Sequence, residues 1–401
     1  MNNNTTPEIS TAAAHWQQFT EGLTETGLSI HARAAASNNA PDLTQVNESL
    51  LWALFSGLAT LPHIDRDQPQ WYPLINSVVR RFNVNADTVY SITYLHGAGS
   101  YRIAGRRGSV FMVNLQLHNG DPGQEAPASL VTDINLDDCH IEADGNFEII
   151  FSPKRPAAYT GNWFPLDPNN DKLFILARQV AYDWLNEIDA QLSILRIDKP
   201  INKSHPKPAC IDKQMAEIAA YVNGSTTAMM NVIDVQHARR VPINQVQDVT
   251  TTLPTISDQA YTHGVIDIDD NTAWIAECEI PPNSKYWSVQ LMDSFYNALD
   301  YTYHQTSING HIGQIDPDGK VRIVVCKTDP LIANWLDKGD YNRVMIRFRW
   351  FGTSHPAIST KTVPLAELNE HLPPNTARLT QEQRQDALSQ RAMGLQMRRR
   401  W

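Results

Sequence analysis

Hydrophobic positions recur at helical spacing from the N-terminus to about Leu61. Trp16, Phe19 and Leu23 share one face of Glu8 to Thr26, and after Asn39-Ala40-Pro41-Asp42 the positions Val46, Leu50, Leu51, Leu54, Phe55 and Leu58 recur three and four apart, so two helices are predicted. From about Asp87 the period shortens to two. Ser109 to Leu117 and Phe147 to Phe151 read as strands, with Asp144-Gly145 as a hairpin turn signal. Val180, Trp184, Leu185, Ile188 and Leu192 then predict a helix over Leu176 to Leu195, and Pro200 to Pro208 reads as a linker. A helix over Asp212 to Tyr221, with a further helical stretch to Val235, leads to Pro254. Strands resume near Gly264 and are predicted over Ala273 to Ile280, Tyr286 to Met292, Lys320 to Val325 and Arg343 to Trp350. A short helix, Leu365 to Leu372, precedes a last one capped by Thr380 with Gln383 at the capping-box position.

That alternation of helix and strand blocks conceals a duplication. Asp144-Gly145 and the strand to Ser152, then Gly161-Asn162-Trp163-Phe164, then Leu173 to Arg178 are matched by Asp318-Gly319 and the strand to Cys326, then Ala333-Asn334-Trp335-Leu336, then Val344 to Trp350. Gly145 answers to Gly319, Trp163 to Trp335 and Phe111 to Trp287, all at nearly the same separation along the chain. Three elements in one order at one offset predict two related β domains. Hairpin turns and short alternating strands make each an antiparallel sandwich. The expected division is an N-terminal helical segment (1–80), a first sandwich ending in a helix (81–198), a helical linker (199–260), a second sandwich (261–360) and a C-terminal helical segment (361–401). Each Asn-Trp reads first as a structural lock at a sandwich corner, because a buried indole N–H needs a partner.

Composition narrows the class. The 401 residues carry a net charge of −10, and the dense basic run is Arg398-Arg399-Arg400, so nucleic acid is not an expected partner. No stretch approaches the length of a membrane span and Met1 to Thr6 has no signal-peptide character, which predicts a soluble cytoplasmic protein without membrane contact. The four cysteines, Cys139, Cys210, Cys278 and Cys326, form no C-x-x-C pair and read as thiols buried on strands.

Several of these motifs together resemble a known family. Asp316-Pro317-Asp318-Gly319, Asp329 to Asp337 with its Asn334-Trp335, Arg347-Phe348-Arg349-Trp350 and Tyr286 to Leu291 look like the bacterial domain of unknown function 1214. Asn85-Ala86-Asp87-Thr88-Val89-Tyr90 resembles the N-A-D-x-x-Y signature discussed with its companion, family 1254. The resemblance covers most of residues 80 to 390. It implies jelly-roll-like β domains joined by helices, in accord with the duplication, and says nothing specific about chemistry. One departure is Gly339-Asp340-Tyr341, where relatives carry Gly-His, so no role is assigned to a histidine there.

The expected fold is therefore mainly β, two duplicated antiparallel jelly-roll-like sandwiches joined and flanked by helices. Two polar segments are the candidates for chemistry. Asn83, Asn85 and Asp87, if extended, share a face and lead to Tyr90, Tyr94, Tyr101 and Arg102. Asp293, Tyr296, Asn297, Asp300, Tyr301, Tyr303, His304 and Gln305 either stay exposed or line a polar pocket. Phenols beside carboxylates or an imidazole suit acid–base work without a cofactor. The expected function is a cofactor-independent lyase, isomerase or hydrolase acting on a small, mostly apolar oxygenated metabolite. Asp87, Tyr90, Tyr301 and His304 are its chemical candidates, and Asn85, Arg102, Trp287, Asp293, Trp335 and Arg349 would bind substrate. No metal site is expected, and self-association stays open. The alternative is a non-catalytic ligand- or carbohydrate-binding sandwich. The junction between the sandwiches is the favoured place for a site.

Overall fold

The computed structural model describes residues 11–36, 42–123, 128–202, 209–238, 242–248, 258–352 and 355–398. Three helices, α1 (Thr11–Ala35), α2 (Leu43–Thr60) and α3 (Ala209–Ala238), pack together through Phe19, Leu23, Ala53, Ile218 and Val222. The first sandwich holds β1 (Tyr72–Pro73), β2 (Thr88–Leu95), β3 (Tyr101–Arg106), β4 (Met112–Asn119), β5 (Ser129–Asn135), β6 (Asn146–Ser152), β7 (Asn162–Pro165), β8 (Leu173–Val180) and β9 (Gln191–Arg196). The second holds β10 (Val246–Asp248), β11 (Gln259–Asp267), β12 (Thr272–Glu279), β13 (Tyr286–Met292), β14 (Ser307–Asn309), β15 (Lys320–Cys326), β16 (Trp335–Asp337), β17 (Arg343–Phe351) and β18 (Ser359–Pro364). Helix α4 (Gln381–Arg398) closes the described chain; its N-terminus has the reciprocal cap expected of Thr380 and Gln383.

The duplication is complete at the level of topology. The five-stranded sheet β1-β2-β8-β4-β5 has the strand order of β10-β11-β17-β13-β14, and the four-stranded β7-β6-β3-β9 that of β16-β15-β12-β18. Asp144-Gly145 and Asp318-Gly319 make the same turn, both glycines at φ +83°. Asn162 bonds His140 through both its side-chain atoms as Asn334 bonds Gln314. Trp163 donates to the Ser152 hydroxyl and Trp335 to the Cys326 carbonyl, both at 3.0 Å. The Asn-Trp pairs are corner locks, and each sits at a parallel strand pairing, β6 with β7 and β15 with β16.

One predicted helix is overturned. Leu176 to Leu195 is the end of β8, a turn and β9. Ile175 and Ala177 face the core of the first sandwich, whereas Phe174, Leu176 and Val180 pack on its other side. A strand buried on both faces loses its period of two, and the remaining apolar residues fell by coincidence at helical spacing. The two stretches expected after Asp212 are one helix, α3, and the 199–260 segment also holds strand β10 and the start of β11. Asn2 to Thr6, Asn39 to Pro41, most of the Pro200–Pro208 linker, Arg399 and Arg400 lie outside the described residues. Arg398 belongs to no free basic patch, since it is buried against Asp189.

Each five-stranded sheet turns one face to its own core and the other toward the opposite sandwich. Val113, Leu115 and Leu117 of β4 point inward, so Met112, Asn114, Gln116 and His118 point outward; in β17, Val344, Ile346 and Phe348 point inward and Met345, Arg347 and Arg349 outward. Asn114, Gln116, His118, Arg347 and Arg349 are nonetheless buried, and the outward Met345 packs on Ile30, Met229, Met230 and Ile233 of the helices.

Candidate site between the two sandwiches

The junction is held first by Asp87, immediately before β2. Its Oδ1 accepts from Trp184 Nε1 and Asn309 Nδ2, both at 2.8 Å, and its Oδ2 from the Tyr286 hydroxyl at 2.5 Å. Its backbone carbonyl accepts from Arg398 of α4 at 3.0 Å. Tyr286 and Asn309 belong to the second sandwich, so one carboxylate joins both halves. Burial pushes the Asp87 carboxyl above its ordinary range against the pull of those donors. Asn85 adds Nδ2 to Tyr286 OH at 2.9 Å, and the Tyr90 hydroxyl accepts from Asn85 N at 3.0 Å. Beside this clamp Phe111 and Tyr182 pack on the Tyr286 ring, which closes the junction at that end.

Beyond the clamp the two outward sheet faces present related sets of residues. Tyr90 lies beside Arg178 and Tyr261 beside Arg349 in register, and the step along the chain from Tyr90 to Tyr261 is the same as that from Arg178 to Arg349. Gln116 and Gln290 occupy equivalent places on the third strand. Arg178 donates to Gln116 Oε1. Arg349 lies 3.5 Å from Gln290 Oε1 and donates at 2.9 Å to both the carbonyl and the side-chain oxygen of Asn83. Arg347 lies over the Tyr261 ring, 5.4 Å from its centroid. Burial raises the Tyr261 phenol, and Arg349, Arg178 and Arg347 pull against that rise.

The electrostatics of this cluster are unbalanced. None of Arg178, Arg347 and Arg349 forms an ion pair among the described residues. Asp133 on β5 is the carboxylate that Arg178 feels, and it already accepts from Asn114 and Gln116 at 2.6 and 3.2 Å. Burial lowers the ionisation of Arg178 and brings Arg347 down to about 10, the second with a contribution from Arg349 nearby. His118, 4% exposed and stacked on Phe174 at 4.7 Å, is held down to about 4 by burial and by Arg178. It is a neutral imidazole at pH 7, and neither ring nitrogen has a partner among the described residues. Asn114 Oδ1, Gln290 Nε2 and Arg347 Nε are likewise buried without one. Buried polar atoms without partners are costly, and here they gather on two facing surfaces. Arg178, Tyr90 and Tyr261 are half-buried.

The structure gathers some of the expected residues and scatters others. Asn85, Asp87, Tyr90 and Arg349 meet at the junction. Tyr301 joins them at one remove: Arg391 donates to its carbonyl at 2.6 Å and stacks on Trp184, the donor to Asp87. His304 lies on the surface, 2.9 Å from Asp337 Oδ2. Arg102 faces solvent beside Glu148 at 3.8 Å. Trp287 stacks on Trp350 inside the second core, and Trp335 packs outside that sandwich with Leu368 and Leu372. Asp293 folds onto its own turn, accepting from Phe295 N, Asn297 N and Asn297 Nδ2, all at 2.8 Å, and burial raises it to about 7.

The extended presentation of Asn83, Asn85 and Asp87 is also corrected. Phe82 and Asn83 are left-handed, at φ 57° and 56°, and Asn85 Oδ1 accepts from Asp87 N. Asn tolerates that conformation because its short side chain bonds locally, and Arg349 holds it there. In the second polar segment Asp293, Tyr296, Asn297, Tyr301 and Gln305 are buried, and Tyr303 is 60% exposed. The sequence reading missed Asn114, Gln116, His118, Arg178, Tyr261, Gln290 and Arg347. Carrying the duplication from turns to strand polar residues would have paired Tyr90 with Tyr261 and Arg178 with Arg349.

Residues 87–181 and 274–355 match the family model described as Protein of unknown function (DUF1214). The chain is similar to that family over these two segments. These DUF1214 segments begin with Asp87 and hold Tyr90, Gln116, Arg178, Gln290, Arg347 and Arg349, while Tyr261 lies between them. A crystal structure of an uncharacterized protein from Burkholderia cenocepacia is similar at 24% identity with a TM-score of 0.79, over 88% of this chain and 98% of that one. A Vibrio parahaemolyticus protein is similar at 15% identity with a TM-score of 0.46, over 86% of this chain and 99% of that one. The first likeness shows a shared fold. No curated protein matches the chain. Among the described residues no helix is long and apolar enough to cross a membrane.

Proposed function

We propose that the protein binds a small organic anion between its two five-stranded sheets, with the carboxylate held by guanidinium groups and the body against Tyr90 and Tyr261. The observation that carries this reading is the convergence of Arg178, Arg347 and Arg349 on Tyr261 without an ion-paired carboxylate among the described residues. Like charges in a low-dielectric space repel, and a bound anion offsets that cost while it supplies acceptors for Arg347 Nε and Gln290 Nε2. Ile92, Tyr94, Phe174 and Leu176 make the wall beside Tyr90 apolar, which suits an aromatic or aliphatic body.

His118 favours a second reading, an acid–base enzyme acting on that anion. A neutral imidazole with both nitrogens uncommitted, on β4 with Gln116, is a proton acceptor at pH 7, and the Tyr90 phenol is a donor. In that case Asp87, with three donors and 3% exposure, frames the site and does not move protons. The buried free thiols Cys278 and Cys326 suit a reducing compartment, and we place the protein in the cytoplasm.

Benzoate and its neutral isostere benzamide separate charge recognition from shape. Benzoate is expected to raise the thermal midpoint of the full chain saturably, and benzamide is not. An equal effect of the two, or none from either, contradicts the anion reading.

A further inference from the structure

We infer that the protein is a homodimer whose two copies meet through the outer face of α2. The inference is independent of the anion reading, because it concerns the helices and not the facing sheets.

The make-up of α2 is the first argument. Leu43–Thr60 holds one charged residue, Glu48, which lies 3.6 Å from Arg80. The inner face of the helix is already used: Val46 and Ala53 are wholly buried, and Gly57 sits against Ile218 and Tyr221 of α3. Apolar side chains nevertheless continue round the outer face. Leu43, Asn47, Leu51 and Phe55 follow one another four residues apart, and Leu58 stands one turn further on, so they form a single ridge. A helix that is apolar all round belongs in an interior.

Area is the second. Leu43, Leu51, Phe55 and Leu58 are 43–66% exposed. His31 Nε2 lies 2.7 Å from Asn47 Oδ1, so α1 borders the ridge, and Leu28, one turn before His31, is 68% exposed. Together these side chains leave about 500 Å² of apolar surface in water. A standard interface buries about 800 Å² on each partner, and in homodimers about 65% of that is apolar, so the ridge supplies about what a stable dimer needs.

Charge and symmetry choose the partner. An anionic membrane surface calls for Lys or Arg beside the apolar stripe, and α2 has neither. A second copy instead brings an identical uncharged ridge, so two chains of net charge −10 meet where neither presents a bare carboxylate. The ridge is also self-complementary about a two-fold axis. Phe55 stands near its centre and faces its own counterpart, Leu51 faces Leu58 of the second copy, and ridges of this spacing interdigitate with the helices crossed at about −50°.

Sedimentation velocity of the full chain, from micromolar to hundred-micromolar concentration, tests this for the natural protein, Leu51→Glu and Ile188→Glu. The natural protein is expected at twice the mass of one chain. Leu51→Glu should weaken self-association at least about a hundredfold, because the two-fold axis places the new carboxylate twice in each apolar interface. Ile188→Glu, at a 65% exposed position of the first sandwich, should leave the dimer unchanged. Melting checks that Leu51→Glu is folded, and Leu58→Glu takes its place if it is not. A natural protein that stays a single chain throughout overturns the inference. So does a dimer that survives the α2 substitution, or one that Ile188→Glu weakens equally, since either puts the contact elsewhere. A single chain that floats with phosphatidylcholine vesicles overturns it in favour of a lipid surface.

Discussion

Replacing Arg347 by leucine puts into the second sandwich the residue that the first carries at the equivalent position, Leu176, which is in register with Gln116 as Arg347 is with Gln290. The guanidinium is 7% exposed, has no ion pair among the described residues, and is pulled by burial from 12.5 to about 10. At about 1.36 kcal/mol per pKa unit that is a cost of about 3 kcal/mol to the folded state. The sign follows from the direction. The folded value lies below the unfolded one, so the charged form is disfavoured in the fold; the penalty is complete at every pH below about 10 and fades only above it. Leucine removes the penalty and also the cation–π contact with Tyr261, worth about 1 kcal/mol. Arg347→Leu should therefore stabilise the ligand-free protein by about 2 kcal/mol at pH 7, raising the thermal midpoint by about 2–4 °C for each kcal/mol, while benzoate affinity falls. Urea and thermal unfolding with and without benzoate read both effects. A ligand-free variant less stable than the natural protein by more than about 1 kcal/mol refutes the reasoning, since it means the guanidinium is already compensated.

Other perturbations probe the clamp, the imidazole and the repeat. Asp87→Asn sets an amide nitrogen among the donors Tyr286, Trp184 and Asn309; a loss of about 3 kcal/mol and faster proteolysis between the halves are expected, and an unchanged melting curve would remove Asp87 from the clamp. His118 favours its neutral form in the fold, with a folded value of about 4 against 6.5, so its contribution is complete above pH 6.5 and is lost as pH falls through 4. His118→Phe, which keeps a ring on Phe174, should therefore gain about 3 kcal/mol on the natural protein between pH 7 and pH 4 in urea titrations; a constant difference means the imidazole is not desolvated. Gly145→Ala and Gly319→Ala force alanine to φ +83° where no atom lies within 4 Å of the new methyl, so each should cost about 1 kcal/mol of conformational strain, equal in the two copies within error by denaturant unfolding.

How much of this was legible beforehand follows burial. The Asp-Gly turns and Asn-Trp corners announced the duplication because their chemistry is local: a positive φ needs glycine, and an indole at a corner needs an acceptor. The Thr380–Gln383 cap was readable for the same reason. Strand β8 was not, because both of its faces are covered, and only the arrangement of the two sandwiches decides that. The site escaped on the same ground. Asn114, Gln116 and His118 alternate with Val113, Leu115 and Leu117, the pattern of an ordinary strand with one wet face, and nothing in that pattern says that the polar side is buried. Density of polar aromatics pointed instead to Asp293–Gln305, where the groups bond to one another and to the backbone. Asp87 and Arg349 were picked out in advance, but their meeting across the junction is a tertiary fact.

The central claim is an anion site enclosed between the two sheets. Co-crystallisation with 4-iodobenzoate tests it most directly, with its solution affinity measured for the natural protein and Arg178→Gln. The account predicts an anomalous peak between β8 and β17 near Tyr90 and Tyr261, the carboxylate on Arg178 or on Arg347 and Arg349, and affinity at least about tenfold weaker in Arg178→Gln. Iodine sites confined to the outer surfaces, with equal affinity in the two proteins, would contradict it.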